Sequence, residues 1–201
     1  MKTYLKLPAS AVAALLALFG ASLLTSCGEK STEIIVSEEA VEAKSSAVLS
    51  PVFLKEKPGA ATPVLELRKS GKPGDQVVVA GKVGGAMSPF TEGFATFVLA
   101  DRSLKTCDLI PEDLCESPWD ACCEAPEVIK ASRLTIQVLD GDNGPVAESL
   151  QMVEGLSELD ELIVTGEIAE GSNEENMIVN ATGIFLEKQW VAPKPEEKKK
   201  G

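Results

Sequence analysis

Asp75-Gln76-Val77-Val78-Val79-Ala80-Gly81-Lys82-Val83 and Asp160-Glu161-Leu162-Ile163-Val164-Thr165-Gly166-Glu167-Ile168, 85 residues further on, are the two stretches that decide the fold. Each opens on an acid, runs apolar, carries a glycine and closes on a β-branched residue. In the first, Val77, Val79, Gly81 and Val83 alternate with Val78, Ala80 and Lys82. This is the period of two that sends successive side chains to opposite faces of a strand. A glycine inside a strand loses packing and backbone entropy, so it marks a bend or bulge, as where a small barrel turns a corner. Two such corners predict a closed sheet.

Three more strands are predicted around these two. Phe94 to Asp101 places Ala95, Phe97 and Leu99 on one face. Arg133 to Leu139 is closed by the turn cluster Asp140-Gly141-Asp142-Asn143-Gly144, and Met177 to Leu186 follows the turn Gly171-Ser172-Asn173. Val64, Leu65 and Leu67 predict a short helix that Gly71-Lys72-Pro73-Gly74 ends. Leu150, Met152, Val153, Leu156 and Leu159 recur at three- and four-residue spacing, which predicts a short helix between the third and fourth strands although Gly155 interrupts it.

The order strand, strand, strand, helix, strand, strand, with Pro-Gly-Asp-x-Val-x-Val-x-Gly-x-Val at 73–83 and Phe-x-Leu-x-Asp at 97–101, resembles the OB-fold. The resemblance covers about residues 63–188. It implies a mainly-β chain with a five-stranded Greek-key barrel over 62–190, one short helix between strands three and four, and a Cys-rich insert between strands two and three at about 102–132. It also implies that ligands meet strands two and three and the loops 84–93 and 169–176. An immunoglobulin-like sandwich is the alternative, disfavoured by the place of the helical stretch.

Residues 1–26 combine basic Lys2 and Lys6, an uncharged run from Ala9 to Leu24, and small polar residues, the pattern of a secretory signal. Leu24-Thr25-Ser26-Cys27 resembles the bacterial lipobox at all four positions. That resemblance implies cleavage before Cys27, lipidation of its thiol, and a chain anchored in the cell envelope with its domain in the periplasm or at the surface. Gly28 in place of an aspartate favours the outer membrane. Residues 27–61, rich in Ser, Glu, Ala and Lys, predict a flexible tether. Its short apolar runs Ile34-Ile35-Val36 and Val52-Phe53-Leu54 are expected to dock on the domain, with binding of a partner as the alternative. The charged tail 191–201 predicts disorder.

The 201 residues include no histidine, which excludes Ser-His-Asp and Cys-His triads and any metal site that needs imidazole. Nineteen basic residues stand against 31 acidic ones, a net charge of −12 that becomes −14 once Lys2 and Lys6 leave with the signal. Nucleic-acid binders generally show a basic footprint, so this alternative, although it is the commonest association of the fold, is disfavoured. Phe90, Phe94, Phe97 and Trp119 could stack bases, but Lys82, Arg102 and Lys105 are sparse company.

Cys107, Cys115, Cys122 and Cys123 are the most distinctive feature. An even number of cysteines in an exported chain makes two disulfides the default. Adjacent Cys122 and Cys123 are too close at their Cα atoms to bridge, which leaves Cys107–Cys122 with Cys115–Cys123, or Cys107–Cys123 with Cys115–Cys122. A four-thiolate zinc or iron–sulfur site is the competitor, although long gaps and an adjacent pair are not the usual two-knuckle spacing. A redox-active thiol pair is a third reading, without a Cys-x-x-Cys to support it. Trp119 is expected to plug the insert and Asp120 to cap a turn. Asp108 with Asp113 is a carboxylate pair of a kind that chance supplies.

These features point to a non-catalytic binding module without a cofactor. Its partners are the membrane, through the lipid, and an envelope protein, glycan or small ligand. Met87, Phe90 and Trp119 are the candidate ligand surface.

Overall fold

The computed structural model describes residues 43–110 and 115–192. The signal segment, Cys27, Ile34-Ile35-Val36, Asp113 and residues 193–201 of the tail lie outside the described residues. Among the described residues no helix is long and apolar enough to cross a membrane.

The expected alternation forms the wall of a closed barrel. The elements are β1 (Thr62–Pro63), α1 (Val64–Ser70), β2 (Gln76–Val83), β3 (Thr96–Ala100), α2 (Pro126–Ala131), β4 (Arg133–Gln137), β5 (Glu161–Ile168) and β6 (Ile178–Lys188). Strands pair in the order β2-β3-β4-β6-β5, and β5 returns to β2 along Gln76 to Lys82, closing five strands into an OB-fold-like barrel. All of these pairs are antiparallel except β4 with β6, in register from Thr135↔Ile178 to Gln137↔Asn180. β1 adds a two-residue parallel patch to β2.

The two glycines of the repeated pattern sit where backbones approach closely. A Cβ on Gly81 would stand 2.5 Å from the Ala100 carbonyl oxygen, and one on Gly166 2.3 Å from that of Asn180. The β5–β6 register shifts between Thr165 and Gly166, so the second corner is a bulge, the feature that bends and twists a barrel strand. Inside, Val79, Val83, Phe97, Leu99, Ile136, Leu162, Val164, Val179 and Ile184 are buried in one core that also takes Val64 and Leu67 from α1. Each such side chain stabilises by about 1.5–3 kcal/mol relative to exposure.

Two expectations are corrected. The stretch 148–159 is a series of turns and not a helix. Met152, Glu154, Gly155 and Leu159 have φ of 68°, 50°, 80° and 65°, left-handed values that a right-handed helix cannot contain. The apolar spacing buries Leu150, Val153 and Leu156 all the same. The freed backbone groups pair instead with Lys44, whose N–H donates to Met152 O (2.7 Å) and whose carbonyl accepts from Glu154 N–H (3.0 Å). The second correction concerns residues 43–61, expected as part of the tether. Within them, residues 46–54 lie against the barrel, with Leu49 fully buried in its core and Leu54 N–H donating to Ile184 O at 2.8 Å. The anticipated docking of Val52-Phe53-Leu54 is therefore present: Val52 and Phe53 pack on the core.

Candidate functional site

The insert between β3 and β4 is held to the barrel by a small core of its own and by one buried cation. Leu104 and Ala121 are buried with Ala100 at the end of β3, and Ile129 of α2 packs against them. α2 carries start and stop signals in Pro126 at its first turn, Glu127 beside it and Lys130 in the last turn. Lys82, on β2, is buried, and its Nζ donates to Leu104 O and Thr106 Oγ1, both at 2.8 Å. Burial pushes the Lys82 ammonium below its ordinary pKa, while the charges of Asp108, Glu161 and Asp101 act the other way.

Asp101 ties the start of the insert to α1. It accepts from Leu65 N–H (2.8 Å), Ser103 N–H (2.9 Å) and the Ser103 hydroxyl (2.6 Å). Its burial would raise its pKa, but these hydrogen bonds and the Lys82 charge together hold it below the ordinary value.

Beyond Thr106 a 3₁₀ turn, Cys107–Leu109, runs beside the segment Pro118–Asp120. Cys107 N–H donates to Asp120 O and Asp108 N–H to Pro118 O, both at 2.8 Å. These two bonds bring the cysteines together. Cys107 Sγ is 3.6 Å from Cys122 Sγ, Cys122 Sγ is 4.0 Å from Cys123 Sγ, and the three sulfurs lie within 4.8 Å of one another. Cys115, whose Sγ is 3.6 Å from Ser117 O, stands beside this group as a hydrogen-bonding neighbour of Cys107. Burial raises the Cys107 thiol well above its ordinary pKa, and its contacts with Cys122 and Cys115 raise it further.

The expected pair of disulfides is not the arrangement found. Among the described cysteines no sulfur pair stands at the roughly 2.05 Å of a disulfide. The turn closed by Glu124 N–H to Ala121 O (2.9 Å) carries Cys122 and Cys123 side by side, and both thiols stand in one group with Cys107.

The candidate ligand surface divides. Met87 is 71% exposed, whereas Phe90 is half-buried against Phe97, ring centroids 5.9 Å apart. Trp119, half-buried, links insert and loop, its indole N–H donating to Met87 O (2.9 Å) and its carbonyl accepting from Gly85 N–H (2.8 Å). Phe94, read from sequence as the start of a strand, lies just outside β3 and is exposed, so it joins Met87 on the loop surface. Asp120 acts locally, accepting from Ala121 N–H at 2.8 Å, and Asp108 accepts from the Thr106 hydroxyl.

Comparison of the chain with known protein families, curated proteins and solved structures finds no match. What the topology and the cluster define is a class: an OB-fold-like barrel bearing a thiol-rich insert.

Proposed function

We propose that this chain is a lipid-anchored, extracytoplasmic binding module, non-catalytic, that presents the loop between β2 and β3 to a protein partner in the cell envelope. The signal and lipobox at Cys27 support the anchor. The observation that carries the binding role is the exposure of Met87 and Phe94 on a loop that Trp119 fastens to the insert. Large apolar side chains held on a rigid support make contact area at small entropic cost. This is also one of the loops through which OB barrels meet their ligands. The acidic charge of the chain favours a neutral or basic partner and opposes nucleic acid.

A photo-reactive residue replacing Met87 in the anchored full chain tests this in intact envelopes. The expected result is one discrete protein adduct, lost in Phe94→Glu and when Cys27→Ser releases the chain from the membrane. Unchanged membrane association of Cys27→Ser, or an adduct indifferent to Phe94→Glu, contradicts the reading.

A further inference from the structure

Two sulfur–sulfur distances in the cysteine cluster match the edge of a coordination tetrahedron. In a tetrahedral site with metal–sulfur bonds of about 2.3 Å, two sulfurs are about 3.8 Å apart. The Cys107–Cys122 and Cys122–Cys123 separations, 3.6 and 4.0 Å, fall on either side of that edge length. The geometry points to a thiolate site for one divalent metal ion of the zinc class, with Cys107, Cys122 and Cys123 standing together as three ligands and Cys115, the neighbour of Cys107, supplying the fourth.

Three features independent of the sulfur distances agree. The backbone bonds Cys107 to Asp120 and Asp108 to Pro118 fix the two ligand-bearing segments side by side. Buried Ala121, one residue before Cys122, and the Lys82–Thr106 contact, one residue before Cys107, hold both segments to the barrel. Successive side chains of an extended segment point to opposite faces, so the convergence of Cys122 and Cys123 requires the turn that the chain builds there. The donor set selects the ion, because thiolates suit zinc-class metals whereas calcium and magnesium take oxygen.

Loading transfers the thiol protons to the buffer as four sulfur–metal bonds form, with no change of oxidation state. A site with all four positions filled by protein is structural, and here it supplies the order that an insert with only a small core of its own lacks. Cys122 and Cys123 are exposed, so metal can enter from solvent.

The test uses the full-length lipidated chain, purified anaerobically in detergent. Metal analysis is expected to find one zinc-class ion per chain, and cobalt(II) replacing it should give the charge-transfer and ligand-field bands of a tetrahedral thiolate site. Chelation should accelerate amide exchange across 101–132 and leave the barrel strands unchanged. Cys107→Ser and Cys123→Ser should each lose the cobalt bands, with barrel amide exchange as the control for folding. Two disulfides in the mass map of the anaerobically handled chain would overturn the site. So would four alkylatable thiols in a chain that takes up no zinc from solution, or iron in a multi-iron cluster.

Discussion

Lys82 reaches from the barrel wall to Thr106, its Nζ 2.8 Å from the hydroxyl oxygen of the residue that precedes the first cysteine of the cluster. The same ammonium holds Leu104 O, so one buried cation fixes the path of the chain as it leaves the barrel. Lys82→Met keeps the aliphatic stem and deletes the donor. Leaving buried polar groups unsatisfied costs about 1–3 kcal/mol, so a lower midpoint in urea is expected, with faster amide exchange concentrated in 101–110. Exchange that rises equally in all barrel strands would show that Lys82 acts on the barrel and not on the insert.

Gly81 and Gly166 are each expected to refuse even a methyl group. The nearest atoms to an added Cβ are the carbonyl oxygens of Ala100 and Asn180, backbone that cannot move without breaking a strand pair. Gly81→Ala and Gly166→Ala should each lose about 1–3 kcal/mol, whereas Gly171→Ala, with nothing within 4 Å, should stay within about 0.5 kcal/mol. Chemical denaturation of the three variants side by side decides this.

Asp101 gives the stability a pH dependence of definite sign. Its folded pKa lies below the ordinary 3.8, so its contribution is fully present above that value and is lost as pH falls through the lowered folded value. Asp160, whose pKa burial raises, has the opposite slope in the acid range, so the wild-type curve alone mixes the two. The difference between wild type and Asp101→Asn isolates the first. That difference should be constant near neutrality and shrink in acid; one that grows as pH falls would reverse the assignment.

Leu49 is fully buried although it lies in a stretch whose composition reads as a tether, and its neighbour Val48 is 59% exposed. Leu49→Ala should cost about 2–5 kcal/mol and Val48→Ala about 0.5 kcal/mol or less. Thermal unfolding of the two variants measures the contrast. Equal effects would mean that residues 43–61 do not belong to the core.

The barrel was legible because alternation is a local signal. Val77, Val79 and Val83 advertise their face without help from the rest of the chain, and the matched glycines at 81 and 166 mark where strands crowd. The stretch 148–159 misled because three- and four-residue spacing reports burial, not backbone conformation. Turns bury Leu150, Val153 and Leu156 as effectively as a helix, and the partner that stabilises them, Lys44, is a hundred residues away. Leu49 is a single apolar residue in a polar stretch and carries no period. α2 did show its signals in Pro126, Glu127 and Lys130, but six residues are too few for an apolar stripe to form. The thiol cluster was legible as four cysteines and no further. Their convergence depends on the Cys107–Asp120 and Asp108–Pro118 bonds, which set chain segments side by side in a way that spacing along the sequence does not encode.

X-ray absorption at the zinc edge, on the anaerobically purified chain, tests most directly whether the insert holds four thiolates around one ion. A single shell of four sulfurs at about 2.3 Å is expected. A shell dominated by nitrogen or oxygen, or a chain without zinc whose cysteines are joined in two disulfides, would contradict it.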